Sequence, residues 1–208
     1  MKWLAPLGNR LLDLFFPPDC VGCGRIGSRL CPHCAQTVLP VGDAICARCG
    51  RPQTGATARC ALCRAGSTDG LTLVRVATLY ADPLRSAIHT LKYGNQPELA
   101  APLARYLIAV GQRPPWPEIL PDVDWVLAVP MHGDRLAERG YNQSALLAAR
   151  AAEGLGLDYA DGLLSRSRHT RTQVGLSARE RQQNVADAFV ADPAVADKRL
   201  LLVDDVFT

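Results

Sequence analysis

The chain has 208 residues, of which 48% are hydrophobic and 21% are charged, and its formal net charge at pH 7 is +3. This composition is typical of an ordinary soluble globular protein with one or two domains. No uninterrupted apolar stretch approaches the roughly 18 residues that a membrane span needs, so we expect no membrane-spanning helix.

The net charge does not identify a partner, because it is unevenly distributed. Residues 1–66 carry 8 Lys and Arg against 3 Asp, whereas residues 67–208 carry 15 Lys and Arg against 17 Asp and Glu. If the cysteines of the first part hold two zinc ions as thiolates, the charge of that part falls to about +1. The apparent basic character would then largely vanish.

The N-terminal segment, residues 1–19, predicts a short amphipathic helix. Apolar residues from Trp3 onward recur at helical spacing, with Arg10 and Asp13 between them. The segment runs into Pro17-Pro18 without a small-residue cleavage site, so we expect no signal peptide and a cytoplasmic protein. Packing on the body of the protein and contact with a membrane surface both fit the pattern.

All eight cysteines lie in residues 20–66 and form four C-x-x-C pairs, which is the spacing of metal-binding knuckles rather than of a disulfide framework. Four thiolates in a tetrahedral set select zinc and leave no open coordination position, so we predict up to two structural zinc ions. Sequential pairing would form one set from Cys20, Cys23, Cys31 and Cys34, and the other from Cys46, Cys49, Cys60 and Cys63. An interleaved pairing is the alternative.

The two halves of this cysteine module look like a tandem repeat. CVGCGRIGSRLCPHC and CARCGRPQTGATARCALC both open with C-x-x-C-G-R and close with a second C-x-x-C. The glycine after each opening pair allows a tight turn whose amides can point at the sulfurs. Arginines in the module could face solvent, dock a protein or contact nucleic-acid phosphates, and the spacing does not separate these roles.

Residues 70–208 indicate an α/β domain in which strands alternate with helices. Leu71–Tyr80 is rich in β-branched residues and predicts a strand. Asp82-Pro83 then predicts the start of a helix that stops at Gly94 and carries Lys92 in its last turn. That lysine could complement the helix dipole or contact a ligand.

A second helix is predicted from about Pro97 to Val110, and residues 125–130 predict a buried strand. This strand runs into MHGDRLAERGYNQ, a predicted loop that carries Arg135 and Arg139. A loop after a parallel strand faces the ligand side of the sheet, where two arginines suit an anion.

Capping residues predict two later helices. Asn142 would begin an Ala-rich helix that ends near Gly154 or Gly156, and Ser177-x-x-Glu180 would begin another. Residues 165–190 form the most basic stretch of the chain. A DNA-facing patch, a lid over a phosphate and a solvated face each fit it.

The final stretch, LLLVDDVFT, predicts a strand buried on both faces that ends at Asp204 and Asp205. In open α/β sheets ligands bind at the carboxyl ends of the strands, so paired acids at that point indicate a binding site.

Several motifs follow one another along the chain: the C-x-x-C pairs, LKYGNQPELA, VPMHGDRLAERGYNQ, RTQVGLSARERQQNVADAF and LLLVDDVFT. In this combination and order, they resemble the ComF family of competence-associated proteins. The last resembles the first half of the motif with which type I phosphoribosyltransferases bind phosphoribosyl pyrophosphate (PRPP). The resemblance implies a double zinc ribbon, residues 20–66, joined to a phosphoribosyltransferase-like, Rossmann-like domain, residues 70–208. That domain is expected to be incomplete at its C-terminus, because the family's phosphate loop would continue after Thr208.

The resemblance also implies a PRPP site that uses magnesium. Asp204 and Asp205 would take the ribose hydroxyls, directly or through Mg²⁺, and Thr208 would open the loop that holds the 5′-phosphate. Residues 171–184 would cover the site as a hood. Three basic side chains would meet the pyrophosphate, namely Arg135, Arg139 and Lys92.

Two classes of function follow from the resemblance. The first is a PRPP-binding competence protein that supports DNA uptake in natural transformation, either as a phosphoribosyltransferase or as a sensor without turnover. Transfer of phosphoribose depends on positioning and charge stabilisation, so no catalytic side chain is predicted. The alternative is a non-enzymatic adaptor that binds single-stranded DNA or other competence proteins, such as helicase-type uptake factors.

Overall fold

The structure, a computed structural model, describes residues 17–55, 57–66, 70–168 and 187–207. The predicted N-terminal helix up to Phe16, the 171–184 hood, the Ser177/Glu180 capping box and Thr208 lie outside the described residues.

A cysteine-rich N-terminal module precedes an α/β body. The helices and strands in chain order are α1 (Pro32–Gln36), α2 (Ala61–Arg64), α3 (Leu84–Tyr93), α4 (Ala100–Gly111), α5 (Trp116–Ile119), β1 (Trp125–Ala128), α6 (Gly133–Arg139), α7 (Gln143–Leu155), β2 (Leu164–Arg166), β3 (Phe189–Ala191) and β4 (Leu200–Val203). Short 3-10 turns cover Pro97–Leu99, Leu120–Asp122 and Pro193–Val195.

The predicted turns after the opening cysteine pairs are confirmed. Gly24 and Gly50 have φ angles of 71° and 66°. Their amides donate to the carbonyls of Cys20 and Cys46 at 2.7 and 2.9 Å. A side chain disfavours this left-handed backbone, so glycine allows each pair to close tightly.

Helix α3 lies where the sequence predicts it, and α4 covers most of its predicted range. The Asp82 carboxylate accepts hydrogen bonds from the amide of Ser86 at 3.2 Å and from its hydroxyl at 2.7 Å, which satisfies a free amide of the first turn. Gly94 follows the last residue of α3. A 3-10 turn leads into α4, so this helix begins a few residues later than predicted.

The strand predicted over Leu71–Tyr80 is wrong. Thr78 forms an isolated antiparallel bridge with Pro40, and the rest of the segment is outside any named strand. The Val74 amide donates to the Arg48 carbonyl at 2.8 Å. The segment therefore runs along the cysteine module, because its backbone groups find partners there and not in a sheet.

The sheet of the body is small and parallel. Strands β1 and β4 pair in parallel, with Val126 opposite Leu201. Tyr159 adds an isolated parallel bridge to Val126 from the other edge of β1. Strands β2 and β3 form a separate antiparallel pair.

Strand β4 is buried on one face, so the prediction of burial on both faces is wrong. Val203 is 7% exposed, whereas Leu202 is 42% exposed. Helix α7 packs against β1 and β4, and Leu201 and Val203 join the core on that face. Leu127, which pairs with Leu202 and lies on the same face, is 2% exposed, so this face is covered over β1 and open at β4.

The predicted loop of residues 131–143 contains a helix, α6, and this corrects the prediction. The His132 side chain caps α6 at its N-terminus, and Gly140, with a φ of 81°, ends it. Arg135 and Arg139 therefore lie on a helix.

Helix α7 begins and ends as predicted. The Asn142 side chain accepts a hydrogen bond from the Ser144 amide at 3.0 Å, and Gly156 ends the helix with a φ of 69°. At 13 residues α7 is well short of the roughly 20 that a bilayer requires. None of the helices that the structure describes is long and apolar enough to cross a membrane.

A continuous apolar core joins the first half of the cysteine module to the α/β body. Cys31 and Cys34 pack in the same cluster as Leu91 of α3 and Val126 of β1. The Tyr106 hydroxyl of α4 donates to the Ala35 carbonyl at 3.0 Å. The second set of cysteines forms a cluster of its own, so the two halves of the module are coupled to the body differently.

Candidate functional site

The cysteine sulfurs lie in two sets of four, each from one half of the module. Within each set they are within 4.8 Å of one another, and the sets are the sequential ones: Cys20, Cys23, Cys31 and Cys34, then Cys46, Cys49, Cys60 and Cys63. Zn–S bonds of about 2.3 Å place the sulfurs of a tetrahedral site about 3.8 Å apart. The sulfur–sulfur distances are 3.7 Å for Cys23–Cys31, 3.8 Å for Cys46–Cys63 and 3.7 Å for Cys49–Cys60.

Backbone amides hold these sulfurs in place. The Cys31 amide lies 3.3 Å from the Cys20 sulfur, and the Cys60 amide lies 3.3 Å from the Cys46 sulfur. Burial by itself raises the pKa of Cys20, but amide hydrogen bonds outweigh it and lower that pKa to about 6. In contrast, burial and the neighbouring cysteines raise the pKa of Cys34 to about 12, so the amides favour the thiolate at particular sulfurs and not at all four. The zinc assignment therefore rests on the spacing of the sulfurs in both sets.

The paired acids lie at the carboxyl end of β4, where the sequence predicts a site. The Asp205 side chain is 6% exposed, and its Oδ2 lies 2.6 Å from Lys92 Nζ in the last turn of α3. Asp204 Oδ1 accepts hydrogen bonds from the Ser144 hydroxyl at 2.8 Å and from the Asp205 amide at 2.9 Å. Three elements, α3, α7 and β4, thus converge on two carboxylates.

The two acids have different electrostatic environments. Burial raises the pKa of the Asp204 carboxyl to about 6, and the charge of Asp205 acts in the same direction. Ser144, the Asp205 amide and Lys92 partly oppose this rise. Asp204 presents part of its surface to solvent, while its carboxyl group is crowded by protein atoms.

Tyr141 and Asn142, in the turn between α6 and α7, form hydrogen bonds to backbone carbonyls near the acids. The Tyr141 hydroxyl donates to the Leu91 carbonyl at 2.5 Å, and the Asn142 amide group donates to the Val129 carbonyl at 3.0 Å. These bonds tie the start of α7 to the end of α3 and to the residue after β1. The backbone that carries Lys92 is therefore fixed relative to the acids.

A cavity of about 240 Å³ opens beside the acids. Its walls are mostly apolar side chains of α3, α4 and residues 76–80. Four charged side chains also line it, namely Arg51, Arg75, Asp204 and Asp205. The cavity therefore reaches from the second half of the cysteine module to the carboxylates.

Comparison with known proteins identifies the family. Residues 11–65 match the family described as a double zinc ribbon domain. The chain is 34% identical to DNA utilization protein YhgH from Salmonella typhi over 179 residues, which is 86% of this chain and 78% of that protein. The chain belongs to the ComF family.

Other members of the ComF family match over similar lengths. DNA utilization protein YhgH from Escherichia coli strain K12 is 32% identical, with the same coverage of 86% and 78%. Competence protein F from Haemophilus influenzae is 29% identical over 201 residues, covering 93% of this chain and 86% of that protein. No solved structure matches the chain.

Of the site residues that the ComF resemblance implies, the structure brings Lys92, Asp204 and Asp205 into one cluster. Arg139 contacts other groups: its guanidinium donates to Gln143 Oε1 at 2.6 Å and lies over the Tyr93 ring, 5.1 Å from the ring centre. Thr208 lies outside the described residues.

A second group of charges connects with Asp204 through Arg166. Burial lowers the pKa of Arg166, which lies on β2, and the charges of Arg135 and Arg168 lower it further. The charge of Asp204 acts in the opposite direction. Arg135 was predicted as a site residue, whereas Arg166 and Arg168 were recognised merely as part of a basic stretch.

Ser144 is the contact that sequence reasoning missed. It is 1% exposed and donates directly to Asp204. In the sequence, Ser144 is marked only by its position two residues after the Asn142 cap. That position predicts the start of a helix, but it does not predict that the Ser144 hydroxyl contacts Asp204.

Proposed function

We propose that this chain is a PRPP-binding, phosphoribosyltransferase-like protein that supports the use or uptake of DNA. The DNA role rests on the names of its relatives, DNA utilization protein and Competence protein F. The PRPP role rests on one arrangement, the carboxylates of Asp204 and Asp205 at the end of a parallel strand with Lys92 against them.

The chemistry of the cluster suits a phosphorylated sugar. Carboxylate oxygens accept hydrogen bonds, and the neighbouring hydroxyls of a ribose donate them. Lys92 pairs with Asp205, and the charge of Arg166 interacts with that of Asp204 and with that of Arg135. Forked guanidinium donors match phosphate oxygens, so the cluster offers groups for the ribose and for the pyrophosphate of PRPP.

The acids also fit the Mg²⁺ that accompanies PRPP in the proposed complex. Besides its ion pair with Lys92, the buried Oδ2 of Asp205 receives no hydrogen bond within the described part of the chain. A carboxylate oxygen with unused acceptor capacity is a ligand that Mg²⁺ prefers. When bound, the ion would neutralise charge on the pyrophosphate, while the side chains of the chain position the sugar.

Calorimetric titration of the zinc-loaded protein with Mg²⁺-PRPP tests the proposal. We expect binding heat from the wild type and at least a tenfold loss of affinity, about 1.4 kcal/mol, in the double variant Asp204→Ala/Asp205→Ala. Glu153→Gln is the matched control, because Glu153 lies near the far end of α7 in an exposed ion pair with Arg150. Absence of heat from the wild type, or equal affinity in the double variant, would refute PRPP binding.

An adaptor for single-stranded DNA is the second candidate, and one surface feature favours it. Tyr93 is 66% exposed; the Arg139 guanidinium lies over its ring at 5.1 Å, and the His89 ring lies 4.9 Å away, tilted by 50°. Exposed aromatic rings beside arginines are typical of surfaces on which unpaired bases stack. Salt-dependent DNA binding that survives the double alanine substitution would favour the adaptor over the PRPP site.

A further inference from the structure

Lys92 forms an ion pair with one of the two adjacent acids, Asp205. Its Nζ lies 2.6 Å from Asp205 Oδ2, and the two side chains are 20% and 6% exposed. The backbone beneath it is held by the hydrogen bond from Tyr141 to the Leu91 carbonyl. The ammonium group is thus a built-in partner of a largely buried carboxylate.

The other acid is also satisfied by the protein itself. Asp204 Oδ1 accepts hydrogen bonds from Ser144 and from the Asp205 amide. Two adjacent carboxylates without such partners would present two negative charges, which attract a divalent cation strongly at short range. A compact ammonium group at Asp205 Oδ2 offsets one of those charges.

We propose that Lys92 is a resident cation that keeps free divalent metal off Asp204 and Asp205, so that metal enters this site together with a phosphorylated ligand. A pyrophosphate group brings several negative charges, which attract Lys92 Nζ away from Asp205 and free Oδ2 for the incoming cation. Lys92 would therefore exclude free divalent metal and admit a metal ion only when it arrives with the phosphorylated ligand. The identity of the ligand rests on the proposed function, whereas the exclusion of free metal does not.

The chain contains a matched ion pair that serves as a control. Lys198 Nζ lies 3.0 Å from Asp124, and Arg199 pairs with the nearby Asp122, so here too a lysine neutralises one of two close acids. It lies before β1 and β4, at the opposite end of the sheet from Asp205. Lys198 is 40% exposed, so solvent already screens the charge of that pair.

The test is a titration of the zinc-loaded protein with Mn²⁺ in the absence of PRPP, followed by the electron paramagnetic resonance signal of free Mn²⁺. We expect weak binding by the wild type and at least tenfold tighter binding by Lys92→Met, which corresponds to about 1.4 kcal/mol. Lys198→Met should match the wild type. Adding Asp205→Asn to Lys92→Met should abolish the gain, which would place the metal on this carboxylate.

Two further variants keep the test decisive. Lys92→Arg retains the charge and should behave as the wild type, and Lys92→Gln replaces Lys92→Met if circular dichroism shows that the latter does not fold. Equal Mn²⁺ affinity in the wild type and the neutral variants would overturn the proposal, as would a gain that persists with Asp205→Asn. Failure of the PRPP titration would refute the proposed function and leave this result standing.

Discussion

At the scale of single residues, Asp204 and Asp205 are adjacent in sequence but stabilised in different ways. Asp205 has an ammonium group at 2.6 Å, whereas Asp204 relies on a hydroxyl and a backbone amide. An ionised Asp204 therefore bears the larger electrostatic cost, from burial and from the neighbouring charge. A bound cation or a sugar hydroxyl would lower this cost, because either one stabilises the ionised carboxylate.

The raised pKa of Asp204 predicts how Asp204→Asn changes stability with pH. The folded protein holds this proton up to about pH 6, whereas the unfolded chain releases it near the ordinary value of 3.8. The contribution of Asp204 to the free energy of unfolding therefore falls as pH rises through this range. Without added metal, Asp204→Asn should be more stable than the wild type at pH 7.5, and the difference should shrink at pH 5.5.

Urea unfolding at the two pH values measures this difference. Asparagine keeps an oxygen that can accept from Ser144, so the substitution removes the charge without removing the contact. Asp161→Asn, on an exposed turn, is the control and should change stability little. A stability difference that is the same at both pH values would contradict the electrostatic explanation.

At the scale of elements, the first half of the cysteine module docks on the start of α3. A Cβ atom added at Gly22 would lie 2.7 Å from Pro83 Cβ and 2.9 Å from the Cys34 sulfur. Neither neighbour is the end of a flexible chain. This close approach lets the metal-binding loop and the helix share one core.

Gly22→Ala should therefore destabilise the protein by about 1–3 kcal/mol through overpacking. The change is measured as a lower midpoint of urea unfolding, monitored by far-ultraviolet circular dichroism. Gly42→Ala is the control, because a Cβ at Gly42 has no neighbour within 4 Å. Equal midpoints for Gly22→Ala and Gly42→Ala would show that the contact can relax at no cost.

The elements that could be predicted from the sequence are those with local signals. Apolar periodicity and caps located α4, α7, β1 and β4, because each pattern lies within the element itself. The prediction for residues 71–80 is wrong because their composition indicates a strand, whereas their backbone hydrogen-bond partners, Arg48 and Leu39, lie in the cysteine module far earlier in the chain. Helix α6 was missed because GDRLAER has too few apolar residues to show a helical period.

The candidate site was predictable in part for the same reason. The position of Asp204 and Asp205 after an apolar strand is a local pattern, and it predicted a site at the end of β4. The contact of Lys92 with Asp205 and that of Ser144 with Asp204 join distant parts of the chain. Such pairings depend on how α3 and α7 pack beside β4, which no local spacing encodes.

At the scale of the whole molecule, the two sets of cysteines differ in what depends on them. The first set shares its core with α3, α4, α7 and β1, so its metal supports the elements that carry Lys92 and Ser144. The second set forms its own cluster. It reaches the body through residues 74 and 75, where Arg75 donates to the Ala47 carbonyl at 2.8 Å.

Single substitutions in the two sets should therefore have unequal effects. Cys34→Ser removes a ligand within the shared core and should lower the melting temperature of the body by more than about 10 °C, since 1 kcal/mol corresponds to roughly 2–4 °C at this chain length. Cys63→Ser should shift the main transition by less than about 3 °C, because it unfolds a separate cluster.

Tryptophan emission follows the unfolding of the body, because Trp125 lies on β1 and Trp116 on α5. Metal analysis should give about two zinc ions per chain in the wild type and about one in each variant. Equal shifts in the two variants would show that the first set is no more coupled to the body than the second.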